Sequence, residues 1–280
     1  MSRESNVEVF QDTMKMCDTH HTLKECIVES IKRQQIIYEY KELEGQIKHR
    51  FDNDAKVIVS KKRTFEAAMG YEDKVCVLNF ASATTPGGGV VKGSNAQEEA
   101  LCRCSTLYPC INQREIWSGF YFPHRSERNP IHNDDCIYTP DVVVFKSDTE
   151  IPSLLRGEEW KTVDVISCAA PNLRPIPENR MNVGDGNVAV KLTDDELQAI
   201  HEAKLRRIFD IVLSKGVDVM ILGAYGCGAF QNPPKVVARA MHNVVKEYIK
   251  EFKIIEFAIY CSKRETINYD EFVKVMGDII

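Results

Sequence analysis

Three consecutive glycines, followed at a short distance by two adjacent carboxylates, are the residues of this sequence that point most directly to chemistry. Gly87-Gly88-Gly89 is separated by seven residues from Gln97-Glu98-Glu99. Such a glycine run lets bare backbone N–H groups approach an anion, because glycine has no side chain and adopts positive φ readily. The pattern predicts a phosphate cradle beside two groups that could carry protons.

A strand and a helix are predicted to position these groups. The apolar run at 75–80 is typical of a buried strand. Ser94 and Gln97 have the spacing of a capping box, which predicts a helix from about residue 95 to Leu107. Taken singly, a glycine run is often a flexible turn, and acids are favoured in any first helical turn. The strand–loop–helix order favours function, because such junctions bind phosphates in α/β folds.

A second glycine-rich segment, residues 223–232, follows another predicted strand and precedes a helix that starts at Pro233-Pro234. Asn232 is the predicted N-cap of that helix. The order Gly-x-x-Gly-x-Gly differs from the Gly-x-Gly-x-x-Gly of dinucleotide-binding folds, which argues against a Rossmann loop. Two such loops could hold one pyrophosphate between them.

Gly87-Gly88-Gly89, the spacer and Gln97-Glu98-Glu99 resemble the signature of the poly(ADP-ribose) glycohydrolases. Residues 78–82 and Pro86 are similar to the compact bacterial-type branch of that family. The resemblance implies a macrodomain fold, hydrolysis of O-glycosidic bonds in poly(ADP-ribose), and ADP-ribose as product. It also implies that the last glutamate of the motif is catalytic and that residues 223–232 bind the diphosphate.

The predicted site combines both segments. Glu99 and Glu98 are the predicted catalytic residues. The residues predicted to bind substrate are Asn79, Gly87, Gly88, Gly89, Val90, Gln97, Gly226, Cys227, Gly228, Ala229 and Phe230. Phe230 is a candidate wall against the distal ribose, with simple core packing as its alternative. Many macrodomains carry an asparagine where this chain has Ser82, Thr84 and Thr85. Asn79 is therefore the candidate for the corresponding contact with the distal ribose, and the choice among ADP-ribose linkages stays open.

Cleavage of a ribose–ribose bond needs an acid that protonates the leaving oxygen of an oxocarbenium-like transition state. Adjacent helical residues point about 100° apart, so Glu98 and Glu99 are not expected to flank one bond. We expect Glu99 to be the general acid and then the base that activates water, while Glu98 orients the ribose hydroxyls. A helix N-terminus lowers a carboxyl pKa whereas burial raises it, and the sequence leaves that balance open.

The composition sets outer limits on function. The net charge of −5 over 280 residues gives no general attraction to nucleic acid or anionic membrane. No apolar run approaches the ~20 residues of a membrane span, and the first residues lack the apolar region of a signal peptide, so a cytoplasmic location is expected. The ten cysteines include no Cys-x-x-Cys pair, and neither a metal nor another cofactor is expected.

Near-continuous apolar strands alternate with helices after residue 55. Strands are predicted at 57–59, 75–80, 142–145, 163–170, 217–222 and 255–260, and helices at 64–69, 194–213, 234–252 and 268–279. This alternation predicts an α/β fold with three layers, in which helices cover both faces of a mixed, largely parallel sheet. Residues 117–135 and 171–192 are predicted connections.

The chain is predicted to divide at residue 54. Apolar residues recur at three- or four-residue steps through 4–50, which predicts an N-terminal helical accessory segment, 1–54. Residues 55–280 then form the macrodomain-like catalytic domain.

Other functions remain open at this point. A non-catalytic ADP-ribose-binding module would need the glycine loops but not the paired acids. A hydrolase that removes single ADP-ribose units from a protein or another acceptor would use the same acid. A nucleotide phosphatase would require a metal cluster, for which the sequence offers no pattern.

Overall fold

A seven-stranded sheet forms the centre of the protein. The computed structural model describes residues 2–43, 48–180, 182–261 and 265–280. The strands are β1 (Gln35–Ile37), β2 (Lys56–Ser60), β3 (Val75–Phe80), β4 (Cys136–Val144), β5 (Lys161–Cys168), β6 (Val219–Leu222) and β7 (Ile254–Ala258). Their order is β1-β4-β5-β3-β6-β7-β2. Strands β5, β3, β6, β7 and β2 run parallel, while β4 and β1 pair antiparallel at one side.

Ten α-helices are described. They are α1 (Arg3–Thr19), α2 (His21–Arg33), α3 (Thr64–Ala68), α4 (Gln97–Cys104), α5 (Leu107–Ile111), α6 (Arg114–Ile116), α7 (Phe122–Glu127), α8 (Asp194–Ser214), α9 (Pro234–Glu247) and α10 (Ile267–Met276). Local chemistry sets several of these starts: Thr193 and Glu196 form a capping box for α8. Pro234 occupies the first turn of α9, where its missing N–H costs nothing.

The strands bury both faces, because successive side chains point to opposite sides of a sheet. In β3, Cys76 and Leu78 pack into the core formed with α8, α9 and α10. Val75 and Val77 pack into the opposite core, which contains residues of α1, α3, α4 and α5. The predicted three-layer α/β architecture is therefore confirmed.

The predicted capping box at Ser94 is wrong. The helix begins one position after Ala96, whose backbone is extended and whose side chain caps nothing. The Arg103 guanidinium donates a hydrogen bond to the Ser94 carbonyl oxygen at 2.7 Å. The helix also ends at Cys104, before the predicted Leu107, because Ser105 is extended and a separate helix follows.

Two other predicted helices differ in extent. The N-terminal helices end at Arg33, and β1 then joins the sheet where helix was predicted; residues 44–47 of that prediction lie outside the described residues. Helix α9 ends at Glu247 instead of 252, and its N-cap is Pro233, so the prediction for Asn232 is wrong. The division at residue 54 stays a prediction.

Residues 117–135 contain helix where an irregular connection was predicted. A π-helical turn, Trp117–Tyr121, continues into α7. Phe120 and Tyr121 are buried. None of the described helices is both long and apolar enough to cross a membrane.

Candidate active site

The two glycine segments lie side by side because the strands that precede them are neighbours in the sheet. The first glycine loop, residues 81–93, follows β3, and the second glycine loop, residues 223–232, follows β6. Strands β3 and β6 pair in parallel, so both loops leave the same edge. This is the edge at which open α/β sheets bind ligands.

Gly88 is the point on which the two carboxylates converge. Its φ is +55°, a conformation that side chains other than glycine rarely adopt. A Cβ added there would lie 2.8 Å from Oε1 of Glu99 and 3.2 Å from Oε2 of Glu98. Although the two glutamates are adjacent in α4, both reach the same glycine of the first loop.

Glu98 is held by two donors. The backbone N–H of Ser82 donates to its Oε2 at 2.8 Å, and Nδ2 of Asn79 donates to its Oε1 at 3.2 Å. Asn79 also donates to the hydroxyl of Ser167 at 2.9 Å. Burial raises the pKa of Glu98 to about 8. This carboxyl group is therefore fixed in position and readily carries a proton near neutral pH.

Glu99 is held on one side only. The backbone N–H of Gly89 donates to its Oε1 at 2.9 Å, while its buried Oε2 has no hydrogen-bond partner among the described residues. Burial raises the pKa of Glu99, and the Gly89 N–H and the Arg103 guanidinium act in the opposite direction. Burial is the largest of these effects, so the pKa of Glu99 is raised although the residue lies in the first turn of α4.

A cavity of about 420 Å³, the carboxylate cavity, lies beside these two groups. Its lining residues are Arg3, Asn6, Phe80, Ser82, Gly88, Gly89, Gly93, Ser94, Asn95, Ala96, Glu98, Glu99, Arg174, Asn182, Ala229 and Phe230. A second cavity of about 250 Å³, the neighbouring cavity, is lined in part by Gln97, Gly226 and Gly228. Ala96, Ala229 and Phe230 line both cavities, which therefore adjoin.

Some predicted site residues lie behind these cavities instead of in their walls. Asn79 and Val90 are fully buried, and Asn79 supports Glu98. A Cβ on Gly87 would meet the Tyr108 ring at 2.8 Å. Cys227 packs against the core of the α8 side. Their proposed contacts with substrate stay predictions.

Gln97 joins the start of α4 to β3. Its Oε1 accepts from the backbone N–H of Phe80 at 2.9 Å, and its Nε2 donates to the Leu78 carbonyl at 2.8 Å. The same nitrogen donates to the Thr64 hydroxyl at 3.1 Å. Gln97 thereby fixes the helix end that carries the two glutamates.

Four residues that line the carboxylate cavity come from segments outside 78–99 and 223–232, where no site residue was predicted: Arg3, Asn6, Arg174 and Asn182. Arg174 and Asn182 belong to the connection 171–192, where the sequence indicates only a loop. Arg3 and Asn6 come from the start of α1, and nothing local in the sequence relates them to the glycine motif. Asn6 is brought there because its Nδ2 donates to the Gly93 carbonyl at 3.0 Å.

The strap, residues 171–180 and 182–186, is anchored by buried polar groups. Asn172 donates through Nδ2 to Oδ2 of Asp185 at 2.7 Å, and Oδ1 of Asp185 lies 3.5 Å from Nε2 of His132. Nδ1 of His132 is 2.7 Å from the Ala170 carbonyl oxygen. Arg125 donates to the Thr84 carbonyl at 2.6 Å. The strap also lies against Arg125, because a Cβ added at Gly184 would lie 2.9 Å from its Cγ.

Within the described ranges, no three histidine, cysteine, aspartate or glutamate side chains are grouped as a metal site requires. All ten cysteines are free thiols.

Comparisons with known proteins agree with this fold. The fold is similar to that of poly(ADP-ribose) glycohydrolase (PARG) from Thermomonospora curvata, with a TM-score of 0.82 and 24% identity over 97% of this chain and 99% of that one. It is also similar to PARG from Deinococcus radiodurans in complex with ADP-ribose, with a TM-score of 0.77 and 24% identity over 91% and 98%. No curated protein matches the chain.

Residues 6–147, just over half of the chain, match the family described as the microbial-type PARG catalytic domain. The matched segment contains the first glycine loop and both glutamates. The chain therefore belongs to the microbial-type poly(ADP-ribose) glycohydrolase family and is an O-glycosyl hydrolase.

Proposed function

We propose that the chain cleaves the ribose–ribose O-glycosidic bonds of poly(ADP-ribose) and releases ADP-ribose, with Glu99 as general acid and then general base. One observation carries the proposal. Glu99 is buried in the wall of a cavity large enough for a sugar, with one oxygen held by Gly89 and the other without a partner among the described residues. Burial raises the pKa of this acid toward the value that proton transfer at neutral pH requires.

The two adjoining cavities suit the shape of ADP-ribose. Its pyrophosphate has an adenosine at one end and a ribose at the other, and the backbone N–H groups of two glycine loops can hold the pyrophosphate between them. The distal ribose then occupies the carboxylate cavity, and the adenosine occupies the neighbouring cavity. Phe230, which lines both, lies where the two halves of the ligand meet.

The reaction then runs in two steps. Glu99 gives its proton to the oxygen of the leaving ribose as the glycosidic C–O bond breaks and an oxocarbenium-like sugar forms. The resulting carboxylate takes a proton from water, whose oxygen bonds to the anomeric carbon. Glu98, held by Ser82 and Asn79, orients the ribose hydroxyls. The negative charge of the substrate's own diphosphate stabilises the sugar cation.

The same proposal includes the cellular location, the partner and the domain division of the protein. Free thiols at all ten cysteines are typical of a reducing compartment, which supports action in the cytoplasm. The partner is poly(ADP-ribose), alone or attached to a protein, with no part for a membrane or an obligatory nucleic acid. Residues 1–54 would serve as an accessory segment to a catalytic domain of residues 55–280.

The test compares wild type with Glu99→Gln on purified poly(ADP-ribose), following ADP-ribose release. We expect release by wild type and a loss of about a thousand-fold in the variant, since general acid catalysis contributes about 10²–10⁴-fold. ADP-ribose should still raise the melting temperature of the variant by mass action. Glu115→Gln, an exposed glutamate outside the site, is the matched control and should keep full activity.

Two other outcomes would contradict the proposal. Wild-type protein that is stabilised by ADP-ribose but releases nothing from any ADP-ribosylated substrate would be a binding module. Release from singly modified acceptors without release from chains would identify a hydrolase of a different linkage. The paired buried acids favour the chain-cleaving enzyme over the first of these.

A further inference from the structure

Asn232 makes more polar contacts than its place after the second glycine loop would suggest. The side chain is 2% exposed. Its Nδ2 donates to the carbonyl oxygens of Pro171 at 2.7 Å and Gly226 at 3.0 Å, and lies 3.4 Å from that of Phe230. Its Oδ1 lies 2.9 Å from Nε2 of His201, on α8.

These partners determine the orientation of the amide. Carbonyl oxygens only accept hydrogen bonds, so the atom that faces them must be the NH₂ group, and Oδ1 must accept from His201. Burial lowers the pKa of His201 to about 4, so the ring carries a single proton at neutral pH. That proton lies on Nε2, and the buried Nδ1 has no partner among the described residues. One histidine tautomer therefore holds one orientation of the amide.

The amide joins two segments that line the cavities. Gly226 and Phe230 belong to the second glycine loop, and Pro171 begins the strap that carries Arg174 and Asn182 into the carboxylate cavity. Gly226 has φ +76°, and a Cβ on it would lie 2.7 Å from Nδ2 of Asn232. The Leu173 N–H adds a further link to the Phe230 carbonyl at 2.9 Å.

We propose that Asn232 is a positioning residue for the reaction, which fixes the second glycine loop and the strap relative to each other, and that His201 holds its amide in the required orientation. Asn232 lines neither cavity, so it acts through Gly226, Phe230 and the strap. This inference rests on the proposed function, since the ligand it serves is ADP-ribose and its chains.

Asn232→Asp tests the inference, because aspartate has nearly the same shape but no N–H donors. Its carboxylate would face carbonyl oxygens and push the two segments apart. We expect the Kd for ADP-ribose and the KM for chains to rise about ten-fold or more, with a smaller change in the Kd for adenosine, which does not span the two segments. His201→Leu, which leaves Asn232 without its donor, should shift the same constants in the same direction by less.

Loss of stability alone would give a different result. Phe252→Leu is the control: Phe252 is buried against Phe209 before β7, at the opposite edge of the sheet from the loops. It should lower the melting temperature and leave the Kd for ADP-ribose unchanged. If Asn232→Asp and His201→Leu behave like this control, the positioning role is wrong.

The test separates this inference from the proposed function. Wild-type protein that binds ADP-ribose and cleaves chains, with unchanged constants in both variants, would overturn the inference alone. Wild-type protein that neither binds ADP-ribose nor cleaves chains would overturn the proposed function, and the inference with it. If Asn232→Asp does not fold, His201→Leu decides by the same two constants.

Discussion

The backbone N–H of Gly89 donates a 2.9 Å hydrogen bond to Oε1 of Glu99, so the first glycine loop holds the proposed acid directly. The remaining oxygen, Oε2, is buried without a partner among the described residues. A buried polar atom in this state costs free energy until a ligand supplies a partner. The loop therefore orients the proposed acid, and in the proposed function it has the second task of offering backbone donors to the substrate.

Gly88→Ala should abolish most activity while leaving the protein folded. The added Cβ would lie 2.8 Å from Oε1 of Glu99, so the carboxyl group must move, and displacement of a catalytic group by about 1 Å costs about a hundred-fold in rate. The measurement is kcat on poly(ADP-ribose), with circular dichroism to verify folding.

Gly216→Ala is the control for that variant. Gly216 also has positive φ, +72°, but no atom lies within 4 Å of an added Cβ. It should lose only the ~1–2 kcal/mol of a left-handed alanine and keep normal kcat. Equal kcat losses in both variants would mean that backbone strain, and not the contact with Glu99, explains the effect.

Glu98→Gln should change how stability depends on pH. The folded-state pKa of Glu98 is raised to about 8, so its contribution to stability is fully present below the unfolded value of about 4.3 and is lost as pH rises through about 8. Glutamine imitates the neutral acid at every pH. Urea unfolding should therefore show that the free energy of unfolding of the variant rises relative to wild type between about pH 4.3 and pH 8. Above about pH 8 the difference between the two proteins should stay constant. A difference that is the same at all pH values would contradict the raised pKa.

Gln97→Leu should destabilise the protein by about 1–3 kcal/mol, because the Phe80 N–H and the Leu78 carbonyl lose their buried partner. Urea denaturation gives the free energy of unfolding. Gln113→Leu, which removes one bond to Pro109 of the preceding helix α5, is the control and should cost less. Equal losses in the two variants would show that Gln97 is not a special link between β3 and α4.

Phe230→Leu should weaken ADP-ribose binding by about two- to ten-fold, since the side chain lines both cavities and an aromatic contact contributes about 0.5–1.5 kcal/mol. Isothermal titration measures the Kd. Phe272→Leu makes the same change in the core beside Phe257 and should lower the melting temperature without changing the Kd. An unchanged Kd in Phe230→Leu would leave this residue with the core-packing role.

The strongest local signals predicted the fold and the centre of the site. The apolar run of β3 gave its observed bounds, Val75–Phe80, because a strand buried on both faces needs apolar residues throughout. The glycine triplet marked the first loop for a similar reason, since few other residues adopt its backbone. In both cases the constraint lies within a few neighbouring residues.

Contacts between distant segments could not be predicted in this way. Strand β1 has three residues and exists because it pairs with β4, about a hundred positions later. Asn232 has the ordinary sequence features of an N-cap. Its side chain instead forms hydrogen bonds with Pro171, Gly226 and His201. In both cases the structure of the residue depends on a distant partner, and the two come into contact only when the sheet has formed.

The adjacency of β3 and β6 has a consequence for the protein during its synthesis. The two strands pair in the sheet, but about 140 residues of chain separate them. The nascent chain completes the first glycine loop and both glutamates early, whereas the second glycine loop emerges from the ribosome only after β6. Under the proposed function, a newly made chain therefore carries its acid long before it has the second loop, and it stays inactive until residues 223–232 have been made.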